Sequence, residues 1–236
     1  MNSPWVVIPT YNERENIQKM IPALFQQNIP NLSVLIVDDS SPDETGEVVK
    51  ELQSRYPTLH LLTRPKKSGL GHAYVHGFNY AIERGADAIV QMDADFSHDP
   101  ADVSPLLKAL ETKPADLVIG SRYISGIRVI NWPLRRLILS ATANMYAKIV
   151  TGIPFEDITG GFKAWRSEVL RSIDLPSIQA DGYGFQIVTT YRTWKKKARI
   201  TEVPIVFTER RAGQSKMSKQ IVFEAMWLVW KLRLFG

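Results

Sequence analysis

The 236-residue chain contains no cysteine, which excludes a disulfide framework and any thiolate metal site. Histidine is scarce, with four residues and no paired ligand spacing, which argues against a histidine-based zinc site. Long apolar runs are also missing. No segment reaches the ~20 uninterrupted apolar residues that a spanning helix needs. The nearest, Leu137–Ala147, has Arg135-Arg136 before it and Lys148 after it, and the stretch from Ile221 is broken by Glu224, Lys231 and Arg233. Met1–Pro4 runs straight into Trp5-Val6-Val7-Ile8, without the basic segment and cleavage site of a signal peptide. A cytosolic chain is the expectation. There is no repeat, low-complexity tract or obvious linker, so residues 1–236 are expected to form a single domain.

Hydrophobic residues make up 44% of the chain, enough for a substantial core. The formal charge of +5 suits anionic partners, whether nucleic acid, phosphorylated ligands or an acidic membrane surface. Short continuous apolar runs recur at Trp5–Ile8, Val34–Val37, Leu59–Leu62, Ala88–Val90 and Leu117–Ile119. Continuous rather than alternating runs predict strands covered on both faces. Helix starts lie between them. Asn12-Glu13-Arg14-Glu15 and Ser41-Pro42-Asp43-Glu44 both have capping-box spacing, and Gly85 reads as a helix stop. The repetition predicts an α/β fold with a doubly wound, mostly parallel sheet. The second half is basic: Leu117–Phe155 contains no acidic residue, and Arg192–Lys219 holds nine basic residues against two acidic ones.

Ligands of open parallel sheets bind beyond the carboxyl ends of the strands. Three polar clusters lie there: Pro9-Thr10-Tyr11-Asn12-Glu13, Asp38-Asp39-Ser40 and Asp93-Ala94-Asp95. Tyr11 and Val37 can wall a nucleobase, and Asp39 can accept from base or ribose donors, although either aspartate of that pair could simply lead into the following helix. Asp93 and Asp95 follow an apolar strand at i and i+2, where both can meet one hard cation such as Mg²⁺ or Mn²⁺ that bridges to a diphosphate. Most such pairs are solvated loop acids; the position at a strand end favours the functional reading. Gly69-Leu70-Gly71 fits no phosphate-loop spacing and predicts a turn into a helix carrying His72 and His76 as packing or surface groups.

Together these residues resemble family 2 glycosyltransferases of the GT-A fold, in particular the polyprenol (dolichyl) phosphate mannosyltransferases without transmembrane helices. The likeness runs from Val6 to about Ser218. It is carried by Val7–Glu13, Ile36–Asp43, Met92–His98, Gly120-Ser121-Arg122-Tyr123, Asp157–Phe162 and Gly213–Lys216. The resemblance implies that Pro9, Tyr11, Glu13, Val37 and Asp39 hold the nucleoside, and that Asp93, Ala94 and Asp95 meet the sugar-diphosphate. Asp95 is the best metal ligand, with Asp93 and Ser97 beside it; some relatives carry a glutamine at the Ser97 position. Arg122, Arg136 and Ser140 would receive the lipid phosphate, and Arg210 and Lys216 would close over the donor phosphates. Asp95, Arg122 and Arg210 are thus the implied catalytic residues. The implied reaction is inverting transfer of mannose from GDP-mannose to a polyprenyl phosphate, with Mg²⁺ or Mn²⁺ as cofactor. The implied place is the cytoplasmic face of a membrane, held peripherally or through a partner subunit.

Arg136, Ser140, Asn144 and Lys148 recur at i+4 as a polar stripe on an apolar helix, and Phe223, Trp227, Trp230 and Phe235 alternate with Lys231 and Arg233. Segments 132–150 and 217–235 are therefore expected to be interfacial helices, with burial against the sheet as the competing reading. Two rivals to the function stand: a family 2 enzyme using UDP-glucose or another sugar, and a non-catalytic nucleotide-binding subunit. Nucleic acid is not an expected partner, because the aromatic residues do not interleave with the basic ones.

Overall fold

The structure, a computed structural model, describes residues 1–178, 180–208 and 219–235. The apolar runs form β1 (Pro4–Thr10), β2 (Ser33–Asp38), β3 (Leu59–Thr63), β4 (Ala88–Gln91) and β5 (Leu117–Ser121). A short β6 (Val129–Ile130) pairs with β9 (Phe207–Thr208), while β7 (Lys163–Arg166) and β8 (Ile200–Pro204) complete the main sheet. Its order is β3-β2-β1-β4-β7-β5-β8, parallel except where β7 runs antiparallel to β4 and β5. The expected mostly parallel, doubly wound sheet is present. The reversed β7 is an addition that its short sequence, charged at both ends, did not announce.

The helices are α1 (Arg14–Phe25), α2 (Thr45–Gln53), α3 (Leu70–Glu83), α4 (Val103–Thr112), α5 (Leu134–Thr151), α6 (Ser167–Ser172), α7 (Gly182–Lys195) and α8 (Lys219–Phe235). Successive strand residues point to opposite faces. Val6, Ile8, Val34, Ile36 and Val90 therefore pack with residues of α1, α2 and α4, whereas Val7, Leu35, Val37, Ile89 and Ile119 pack with α3 and α7. Each fully buried Val, Leu or Ile contributes about 1.5–3 kcal/mol. Helix α3 lies unusually close to the sheet: a Cβ on Gly77 would come within 2.5 Å of Val7 and 2.9 Å of Val37.

The two predicted capping boxes do not form. Helix α1 follows Glu13 and α2 follows Glu44, neither with a side-chain cap. The loops cap each other instead, because β1 and β2 are neighbours and end side by side. Asp43 accepts from the Arg14 amide at 3.0 Å and from the Thr45 amide at 3.1 Å, while the Thr45 hydroxyl accepts from the Glu13 amide at 3.1 Å. Gly85, at φ +83°, ends α3 as expected. Strands β2 and β3 lie on one side of β1 and β4 on the other, so the chain reverses direction across the sheet between β1 and β4. In such sheets the crevice for ligands opens at that reversal.

Candidate active site

At the end of β2 the two adjacent aspartates have different work. Asp38 is structural, accepting from Thr10 Oγ1 at 2.9 Å, the Ser41 amide at 3.0 Å and Ser41 Oγ at 2.5 Å. Asp39 is buried and meets Arg64 Nη1 at 3.2 Å. Burial pushes the Asp39 carboxyl above its ordinary range, opposed by Arg64 and reinforced by Asp38. Tyr11 lies under Lys67, whose Nζ is 3.9 Å from the ring centroid. Pro9 and Glu13 are half-buried beside it, and Glu13 accepts from Asn16 at 2.7 Å. The Val37 side chain has no accessible surface and packs beneath α3. Arg64 and Lys67 were missed by sequence reasoning; a basic residue directly after the β3 run was the available signal.

Beyond β4 the chain turns tightly through Asp93-Ala94-Asp95-Phe96-Ser97. Phe96 takes a left-handed φ of +59°, a conformation that costs a non-glycine residue about 1–2 kcal/mol. Asp95 is buried and accepts from the Ser97 amide at 3.0 Å. The Ser97 hydroxyl is buried and has no hydrogen-bond partner among the described residues. Asp93 is fixed from two sides: its Oδ1 accepts from Tyr74 OH at 2.7 Å, and its amide donates to His98 Nδ1 at 3.1 Å. The His98 ring stacks on Phe162, with centroids 4.7 Å apart. Burial lowers the affinity of His98 for a proton, and burial together with Asp93 raises the Tyr74 hydroxyl well above its ordinary range.

No group of three or more His, Cys, Asp or Glu side chains among the described residues is placed to hold a metal ion alone. The oxygen set nevertheless suits a hard cation that shares its ligands with a diphosphate: one or two carboxylates, with phosphate and water oxygens completing the shell. The orphaned Ser97 hydroxyl beside Asp95 is the observation that fits this arrangement.

Across the crevice, Arg122 is buried at the end of β5. Its Nε and Nη2 each donate to Asp157 at 2.7 Å, and Nη2 also donates to Thr159 at 2.9 Å. Burial opposes the charges of both partners; the pairing nonetheless holds the Asp157 carboxyl below its ordinary range and the Arg122 guanidinium above its own. Asp157 is itself fixed by the chain around it. Glu202 of β8 accepts from the Glu156 and Asp157 amides at 2.8 and 2.9 Å, and Asn144 of α5 accepts from the Ile158 amide at 3.0 Å. Lys163, at the start of β7, is fully buried and donates to Gln186 O at 2.9 Å and to its Oε1 at 3.0 Å. With Asp157 already matched by Arg122, burial lowers the Lys163 pKa to about 7.

Arg122 and Arg136 converge on Trp132: their Cζ atoms lie 5.9 and 4.3 Å from its ring centroid. The Ser140 hydroxyl is 3.0 Å from Tyr123 OH. Arg136, Ser140 and Thr159 line a cavity of about 310 Å³ whose other walls are mainly apolar, among them Leu139, Ala143, Ile187, Met226 and Val229. This cavity lies between α5, α7 and α8. The Trp132 Nε1 is buried without a partner among the described residues. The polar stripe on α5 is divided. Arg136 and Ser140 face the cavity, while Asn144 clamps the 156–158 loop and Lys148 pairs with Glu156 at 2.7 Å.

Large apolar side chains stand open on α5 and on the described part of α8, beside the exposed Arg135, Lys231 and Arg233. Leu134 is 69% exposed, Ile149 75%, Trp227 74% and Leu234 66%, a density of exposed large apolar residues that marks an interaction surface. No helix among the described residues is long and apolar enough to cross a membrane. Arg210 and Lys216 lie outside the described residues.

The pattern of Glycosyl transferase family 2 matches residues 5–174. The chain is 46% identical over 220 residues to an undecaprenyl-phosphate mannosyltransferase of Micrococcus luteus, covering 93% of this chain and 89% of the relative. It is 47% identical over 231 residues to a polyprenol monophosphomannose synthase of Mycolicibacterium smegmatis, covering 97% and 86%. Its fold is similar to that of glucosyl-3-phosphoglycerate synthase from Mycobacterium tuberculosis, crystallised with Mn²⁺, UDP and glucosyl-3-phosphoglycerate. That match has a TM-score of 0.72 at 18% identity and covers 98% of this chain and 80% of the other, which identifies the sheet as GT-A type.

Proposed function

The chain belongs to Glycosyl transferase family 2, and from that premise we propose that it transfers mannose from GDP-mannose to a polyprenyl monophosphate at the cytoplasmic face of a membrane. The activities for which the two relatives are named support the sugar and the acceptor class. One observation of the geometry carries the reading. The charges of Asp93, Asp95, Arg122 and Asp157 all act on the buried His98, and Thr159, which accepts from Arg122, lines an apolar cavity that also bears Arg136 and Ser140. That is the arrangement a nucleotide-sugar and a lipid phosphate would need to meet.

In this reading Tyr11, Asp39, Pro9 and Glu13 hold the nucleoside, and Val37 supports the pocket from beneath. Asp95, with Asp93 and Ser97, would hold Mg²⁺ or Mn²⁺. Such a cation supplies positive charge to the departing nucleotide diphosphate. Arg122 spends Nε and Nη2 on Asp157 and Thr159, which leaves Nη1 without an acceptor among the described residues. Nη1, the Arg136 guanidinium, the Ser140 hydroxyl and the Trp132 indole N–H would then take the acceptor phosphate. From the sequence, Arg210 and Lys216 would neutralise the donor phosphates. The reaction needs no protein base, because a phosphomonoester is already anionic (second pKa about 6). Its oxygen attacks the anomeric carbon in line, the bond to the diphosphate breaks, and the configuration inverts. The protein's contribution is to hold two mutually repelling anions in contact.

The polyprenyl chain would enter the cavity between α5, α7 and α8, whose volume lies within the ordinary range of ligand sites. The open apolar side chains of α5 and α8 would rest in the membrane interface, directly or against a partner subunit. The test is to incubate the purified chain with GDP-mannose, GDP-glucose or UDP-glucose, Mn²⁺ or Mg²⁺ and a short polyprenyl phosphate, and to weigh the lipid by mass spectrometry. Mannosyl lipid from GDP-mannose is expected. Transfer only from a UDP-sugar, or no transfer, contradicts the proposal.

A further inference from the structure

Gly161 lies in the loop before β7 with part of its surface open, and it keeps an ordinary backbone conformation. The space where its side chain would stand is framed by three groups. A Cβ there would be 3.5 Å from Gln186 Nε2, 3.6 Å from His98 Cε1 and 3.7 Å from Asp93 Oδ2. Each group is held with one particular atom facing that space. The Gln186 Oε1 accepts from Gln91 Nε2 at 2.8 Å and from Lys163 Nζ at 3.0 Å, which turns the amide N–H₂ toward Gly161. Asp93 Oδ1 is taken by Tyr74, which leaves Oδ2 at the niche. His98 is pinned by its stack on Phe162 and its bond to the Asp93 amide, so it presents a ring edge.

The niche thus offers one donor and one acceptor, 3.5 and 3.7 Å from where a Gly161 Cβ would stand, beside the first carboxylate of the Asp93-Ala94-Asp95 turn. A hydroxyl both accepts and donates. We propose that the niche over Gly161 receives one hydroxyl of the donor's hexose, accepting from Gln186 Nε2 and donating to Asp93 Oδ2. Gln186 is then a specificity-determining contact, and Lys163 and Gln91 are positioning residues that fix the direction of its amide. A site built to hydrogen-bond a hydroxyl rejects an analogue lacking it, because its own polar groups are then left unpaired. This assignment rests on the proposed transfer from a nucleotide-sugar.

The test is Gly161→Ala, assayed with GDP-mannose and with its monodeoxy analogues, alongside GDP binding and thermal melting. The added methyl meets its neighbours at ordinary van der Waals distance, so the fold should hold, with an unchanged melting temperature and GDP affinity within twofold. kcat/KM for GDP-mannose should fall at least tenfold. For one deoxy position the wild type should lose at least tenfold, while Gly161→Ala loses less than twofold. Gln186→Glu keeps the acceptor for Lys163 and removes the donor, and it should show the same insensitivity at the same position. If Gly161→Ala transfers mannose within twofold of the wild type, or no deoxy position separates the two chains, the niche assignment is wrong while the proposed function stands. A wild-type chain that transfers from none of GDP-mannose, GDP-glucose and UDP-glucose overturns both.

Discussion

The end of the sheet at β1, β2 and β4 and the region around α5, α7 and α8 are built on different terms. At the sheet end the carboxylates are held by partners from neighbouring elements. Thr10 and Ser41 hold Asp38, Arg64 meets Asp39, and Tyr74 and His98 hold Asp93. Around α5 the polar groups are few, the walls are apolar, and large hydrophobic side chains stand open. A nucleotide-sugar presents a dense set of hydrogen-bonding groups and suits the first region. A long hydrocarbon with a single charged end suits the second. Arg122 sits between them, tied to Asp157 on one side and reaching the cavity through Thr159 on the other.

That contrast breaks most sharply at Asp95. Asp95→Ala is expected to lower kcat by at least about a thousandfold while leaving the fold and lipid-phosphate binding intact. Transfer measured with and without chelator checks it, and normal turnover by the variant would remove the metal role. Asp157→Asn sharpens the contrast from the middle. It leaves a buried guanidinium short of its charge partner, a change that costs about 3–5 kcal/mol. Denaturant unfolding should register that loss, where a surface ion pair such as Arg14–Glu44 would register almost nothing.

A smaller effect follows from Lys163. Its pKa falls on folding from 10.5 to about 7. The unfolded chain therefore binds more protons than the folded one between these values, and stability present above the unfolded pKa is lost as pH falls toward 7. Across that window each pH unit is worth up to about 1.4 kcal/mol. Lys163→Met should flatten the pH dependence of melting between pH 7 and 10, and parallel curves for the two chains would contradict the burial argument. The smallest effect expected is that of Trp132→Phe. It keeps an aromatic ring between Arg122 and Arg136 and removes the orphaned N–H together with the five-membered ring that bears it, which should weaken the acceptor KM by about 1 kcal/mol and leave the donor KM alone.

The sheet was legible in the sequence because parallel strands buried on both faces are local apolar runs, as in Val34–Val37, and because ligands of such sheets meet the strand ends. Asp39, Asp93 and Asp95 follow from that rule. The capping boxes failed because Asp43, Thr45 and Ser41 found partners on the neighbouring loop, at separations of about thirty residues that no local pattern contains. The same holds for Asp157, which lies 35 residues from Arg122, and for Asp181, which accepts from the Gly71 amide across 110 residues. Lys163 and Gln186 carried no signal in the sequence. Only the reversed placement of β7 between β4 and β5 brings them beneath the crevice.

Whether donor and acceptor are gripped by separately built halves of one site can be read from the affinities of Arg136→Ala for GDP and for a short polyprenyl phosphate. The lipid phosphate should bind at least tenfold more weakly and GDP as tightly as before. Equal losses for both ligands, or none for the lipid phosphate, would contradict that division.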